Sequence, residues 1–221
     1  MNASAFFKKL VGRNRVTTRE AAQLTGLSIP AASMALRRLS TEGLATPLKR
    51  GHWLVGGSAL KPGVLVAAAA DPYQAYLSGW SALRVHDRIQ QIPQKHFAMT
   101  LGRPGEIEMA GAKLSFHCIA PELFGGYSYD SKVDGFVASA EKAIFDLAYL
   151  SAMNRSTVSG SLPETDLRGL KWRELKAWVG RISGPSVRRS VERQLERIRG
   201  QHAVNPEEAC LHHARKVNYF L

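Results

Sequence analysis

The chain has 221 residues, 45% of them hydrophobic, enough apolar material to bury one large core or two small ones without covalent staples. Its two cysteines, Cys118 and Cys210, fit no paired-thiol spacing, and no apolar run reaches the ~18 residues of a membrane span; a disulfide framework, a thiolate zinc site and a membrane anchor are disfavoured. A formal net charge of +12 points instead to polyanionic partners in a reducing, cytoplasmic setting, since residues 1–11 also lack the h-region of a signal peptide.

Phe6, Phe7, Leu10 and Val11 recur at helical spacing and predict a first helix. A second is predicted from Thr18, which can cap the turn over residues 19–24, and Thr25-Gly26-Leu27 breaks it. A third follows Ser28, with Ile29, Ala32, Leu36 and Leu39 on one inward stripe. Residues 44–48 and 52–55 flank the turn Lys49-Arg50-Gly51 and predict a small β-hairpin. Three helices and a basic-tipped hairpin make residues 1–58 a winged helix-turn-helix, and GGSALKPG, residues 56–63, reads as its boundary.

Residues 64–154 read as α+β. Asp71-Pro72 resembles an N-cap and first-turn proline, so a helix is expected with Tyr73, Tyr76, Leu77, Trp80 and Leu83 on one face. Alternation predicts a strand over 97–101, two more on either side of the Ala110-Gly111-Ala112 turn, and a short one around Phe136. Ser139 can then cap a helix whose apolar side is Ala140, Ala143, Ile144, Leu147 and Leu150. After the polar break at 156–164, residues 164–221 read as a helical C-terminal part of the same domain, with helices over 171–182, 186–199 and 206–216.

Charge sharpens this division. Residues 1–60 hold nine basic and two acidic side chains, residues 61–154 are close to neutral, and residues 155–221 hold thirteen basic and seven acidic ones. In a helix-turn-helix the second helix of the pair enters the major groove. With the apolar stripe inward, Ala31, Ser33, Met34, Arg37 and Arg38 form its outward or flanking set, and Arg37 suits bidentate contact with guanine. Thr17, Thr18, Ser28 and Pro30 at the helix starts, and Lys49, Arg50 and His52 on the wing, complete the candidate DNA-binding set. Arg188, Arg189, Arg193 and Arg197 form a second basic surface on a later helix, readable as a solvated face paired with Glu192 and Glu196, a further phosphate contact, or a site for an acidic protein.

Enzyme signals are weak. Gly126-Tyr127-Ser128 starts like a nucleophile elbow but lacks the closing glycine. Cys210-Leu211-His212-His213 has no second ligand pair, so no metal is expected. Glu141, Lys142 and Asp146 read as structural charges on a helix, and no catalytic residue or cofactor is assigned.

The run LSIPAASMALRRLSTEGLATPLKRGHWLV, followed by YLSGWSAL, KLSFHCI and VASAEKAIFDLAYL, resembles the AbiEi antitoxin family of abortive-infection, viral-defence regulators over nearly the whole chain. The resemblance implies an N-terminal winged helix on double-stranded operator DNA with inverted repeats and a C-terminal α/β antitoxin domain. It also implies autoregulation of an operon encoding a nucleotidyltransferase-like toxin. The chain is not such a toxin, because Gly57-Ser58 is followed only by the isolated Asp71 and not by paired carboxylates. Two other readings stay open: a solitary regulator whose middle domain senses a ligand, and an enzyme with a DNA-targeting domain.

Overall fold

Asn2 opens helix α1 (Ala3–Leu10) by accepting the Ala5 N–H through its side chain, and Phe6 and Leu10 turn inward from it. The structure, a computed structural model, describes residues 2–56, 60–153 and 165–203, with side chains described through residue 200. Strand β1 (Arg15–Thr17) leads into α2 (Thr18–Thr25). Its N-cap is Thr17, not Thr18: the Thr17 hydroxyl accepts from Glu20 N–H while the Glu20 carboxylate accepts from Thr17 N–H, a reciprocal capping box. The predicted cap was off by one because the box needs the glutamate three residues on, which Thr17 alone has. Helix α3 (Ile29–Thr41) follows, then β2 (Ala45–Lys49) and β3 (His52–Val55), which pair antiparallel. Strand β1 joins the other side of β3, giving the order β1-β3-β2. Phe6, Leu10, Val16, Leu36, Leu39 and Trp53 lie in the shared core.

Of the boundary expected at 56–63, Pro62 and Gly63 already belong to helix α4 (Pro62–Ala70), with Pro62 in its first turn. Its stretch Val64–Ala70 is apolar on every side, so it shows no helical period; Val64, Leu65, Val66 and Ala68 are buried, and only the small Ala67 is exposed. Asp71-Pro72 therefore follows a helix instead of opening one. The helix expected to carry Tyr73 to Leu83 is likewise replaced by strand β4 (Ala75–Leu77) and helix α5 (Gly79–Val85). Pairing of Tyr76 with Met99 and of Leu77 with Ala98 overrides the helical spacing of those side chains.

Strands β5 (His96–Thr100), β6 (Gly105–Met109) and β7 (Ala112–Cys118) fall where alternation predicts them, and β9 (Gly135–Ala138) contains Phe136. A short 3-10 turn at Pro121–Leu123 and strand β8 (Tyr127–Asp130) were not predicted. The six strands form one mixed sheet in the order β6-β7-β5-β4-β9-β8. Helix α6 (Ala140–Ala152) is capped by Ser139, whose hydroxyl accepts the Lys142 N–H, and all five residues of its predicted apolar side are buried. Helices α7 (Trp172–Gly180) and α8 (Pro185–Ala203) close the described chain. The described residues thus contain eight helices and two sheets, an α+β fold, and none of these helices is long and apolar enough to cross a membrane. The predicted helix over 206–216, the break at 156–164 and the Cys210-His213 run lie outside the described residues.

Contacts divide the chain into two units, each drawn from separated stretches. The first takes residues 2–56 and 60–77 with 94–119 and 127–137, so it holds both sheets and α4. There Gly63, at the start of α4, abuts Gly135 so closely that a Cβ on either would lie 2.5–2.6 Å from the other's backbone. The second unit takes residues 78–93, 120–126, 138–153 and 165–203, and in it α6 packs on α5, α7 and α8.

Candidate nucleic-acid interface

The pair α2–α3 is built from local rules. Gly26 ends α2 in the left-handed region at φ +72°, where a side chain would be strained, and Leu27 N–H then reaches back to Ala22 C=O at 3.1 Å. Ser28 caps α3 by accepting the Ala31 N–H at 3.4 Å, and Pro30 occupies the first turn, where its missing N–H has no helical partner to lose.

Ala32, Leu36 and Leu39 are buried on the inner side of α3, as predicted. Ile29 is not: it is 51% exposed, because it is the first residue of the helix and no preceding turn covers it. The opposite side presents Pro30, Met34, Arg37 and Thr41 at spacings of four, three and four, a single row on a 100° helix, with Arg38 beside it. Met34 is 58% exposed, and Arg37 and Arg38 are exposed as well. Ser33 and Ala31 are half-buried at the margins of the row. Met34, more than Ser33, is therefore the outward neighbour of Arg37.

The remaining candidates are partly committed to the fold. Thr17 belongs to the capping box, and the Thr18 hydroxyl accepts from Trp53 Nε1–H at 3.0 Å. Burial works against ionisation of Glu20, but the Thr17 hydrogen bonds and the charges of Arg15 and Arg13 hold its carboxyl below the ordinary value. Lys49 does not point freely from the hairpin: its ammonium donates to Ala69 C=O at 3.3 Å and Asp71 C=O at 3.2 Å, the carbonyl end of α4. His52 is buried at 6% exposure, with Nε2 3.4 Å from the Asp71 carboxylate and Nδ1 3.3 Å from Arg15 Nη1. Arginine can only donate, so Nδ1 accepts and Nε2 carries the proton. Arg50 remains as the exposed charge of the turn. Neither commitment was visible in the sequence, because Ala69 and Asp71 lie about twenty residues further along.

On α8, Arg188 donates through Nε and Nη2 to Ile182 C=O at 3.1 and 2.6 Å, capping the segment after α7. Arg189, Arg193 and Arg197 are exposed, and among the described residues no salt bridge joins them to Glu192 or Glu196. Tyr127 and Ser128 sit in strand β8 and not in a strand-to-helix turn, so the elbow geometry is lacking.

Among the described residues one charged pair is buried without surface access. Lys142 and Asp146, both completely buried on α6, form an ion pair, and Ser78 Oγ donates to the same carboxylate at 2.6 Å. Trp178 lies with its ring centroid 4.8 Å from the Lys142 ammonium, and Gly126 leaves no room for a Cβ between them. Desolvation lowers the Lys142 pKa, Asp146 opposes that, and Arg181 adds to the lowering. The spacing of i and i+4 on one helix was legible; the depth was not.

No family model matches the chain, and no curated protein matches its sequence.

Proposed function

We propose that residues 2–56 act as a winged helix-turn-helix and that the protein is a sequence-specific DNA-binding repressor without catalysis of its own. The observation that carries this reading is the outward row of α3, where Met34 and Arg37 are exposed beside Arg38 on a helix whose opposite side is anchored by Leu36 and Leu39. Such a row combines a donor fork for guanine with apolar surface for a groove, on an element held by caps at its start. The basic excess over residues 1–60 supports it by supplying phosphate-directed charge, of which Lys8, Lys9, Arg13, Arg19 and Arg50 are exposed. The antitoxin role and the pairing with a nucleotidyltransferase-like toxin rest on the resemblance to AbiEi antitoxins, as does the expectation of inverted repeats. A gel-shift series with the DNA upstream of the gene, against an unrelated fragment as competitor, tests the central reading. Preferential retention of the upstream fragment is expected. Equal affinity for both fragments would remove the repressor. Co-expression with the product of a neighbouring toxin gene tests the second claim, and growth should be restored only by the full chain.

A further inference from the structure

The half of α3 that leads into the groove in a helix-turn-helix is its N-terminal half. On this chain the exposed surface of that half is mostly apolar. Ile29, Pro30, Ala31 and Met34 carry no donor, so its hydrogen-bonding side chains are two short hydroxyls: Ser28, which accepts the Ala31 N–H and keeps its own O–H, and Ser33, half-buried at the margin of the row. Ile29 and Met34 are nonetheless more than half exposed, and Leu24, at the end of α2, is 37% exposed. Polar capability resumes one turn later, at Arg37 and Arg38. In the major groove the one base feature that rewards an apolar side chain is the C5 methyl of thymine, whereas an arginine fork matches guanine O6 and N7.

Resting on the DNA-binding reading above, we infer that this face recognises thymine methyl groups: Ile29 and Met34 pack on methyls in the major groove of the operator, with a guanine placed to meet Arg37. Charge complementarity selects duplex DNA over a protein for this apolar patch, because the charged residues of α3 are Arg37 and Arg38, both exposed, and the helix carries no carboxylate. Met34 is then a specificity-determining residue and not a stray hydrophobe.

Replacing thymine by uracil deletes only the methyl, leaving pairing and phosphates unchanged, so the test needs no assumption about fold. The full chain is titrated against the upstream DNA segment that it protects from cleavage, made with thymine or with uracil. Each contacted methyl should contribute about fourfold in affinity, so an operator with two contacted methyls should lose roughly tenfold or more on substitution. Met34→Ala and Ile29→Ala, exposed changes that leave the core untouched, should weaken the thymine operator similarly, bind the uracil version like the parent, and leave unrelated DNA unaffected. Retained operator preference with no sensitivity to uracil overturns the inference and leaves the repressor standing. So does a Met34→Ala protein that sediments as a smaller species while reading both DNAs equally, which would make the face a contact between copies of this chain. Absence of any operator preference overturns the repressor reading itself, and the thymine contact with it.

Discussion

Lys142 and Asp146 hold opposite charges where no water reaches, and the cost of their desolvation is met by each other, by Ser78 and by the Trp178 ring. Removing one partner strands the other. Lys142→Met should therefore lower stability by about 3–5 kcal/mol in urea denaturation, whereas Lys142→Met with Asp146→Leu should recover most of that loss. A double variant no more stable than the single would show that the pair is worth more than its apolar replacement. His52 sets a pH dependence of definite sign. Burial lowers its pKa, Lys49 and Arg15 lower it further, and Asp71 and Glu20 oppose them. The unfolded chain then binds more protons than the folded one between the lowered value and 6.5, so stability rises with pH in that window and is lost as pH falls through it. His96 and His117 are lowered by burial too, so the slope is shared. The urea midpoint should fall between pH 7.5 and 5.5, and His52→Gln, a neutral side chain that can still donate to Asp71, should make that fall shallower. An unchanged slope would mean that His52 takes up its proton alike in the folded and unfolded chain.

At the scale of elements, the hairpin between β2 and β3 divides its basic residues between two tasks. Arg50 is exposed at the turn, while the Lys49 ammonium is held by the end of α4. Arg50→Ala should make the plot of log affinity against log salt shallower by about one unit, and Lys49→Ala should leave that slope nearly unchanged. Equal losses of slope would return Lys49 to the phosphates. What the sequence disclosed about elements follows from whether the cause was local. The inner stripe of α3 and the capped, amphipathic α6 were legible because their signals lie within one helix. Helix α4 was not, since a helix apolar on all sides has no period to read, and neither was β4, whose three residues become a strand only by pairing with β5 and β9. The candidate row on α3 was legible at Arg37 and Arg38 from the stripe opposite. Ser33 and Met34 fall in one flanking set by spacing alone, and which of them is exposed depends on how far each lies from the core.

The first unit is tied across its length. Asn14 donates to Asp134, Lys49 to the end of α4, His52 meets Asp71, and α4 packs on β2 as well as on β4 and β5. A fragment of residues 1–58 keeps the core around Phe6, Leu10 and Trp53 but loses all of these ties. It should unfold at a lower urea concentration than the same residues in the full chain, followed by Trp53 fluorescence with the other tryptophans replaced; equal midpoints would make the ties energetically neutral. Gly63 and Gly135 carry a consequence of another kind. Neither has a backbone angle that demands glycine, so what each position forbids is volume, and the volume it forbids is occupied by the other. Most tight contacts can drift over generations, one side growing while its neighbour shrinks. Here both sides are already at the minimum, so enlarging either has no compensating change available opposite, and enlarging both compounds the clash. The contact is a dead end for substitution, and lineages of this fold can leave it only by moving the start of α4 away from the strand.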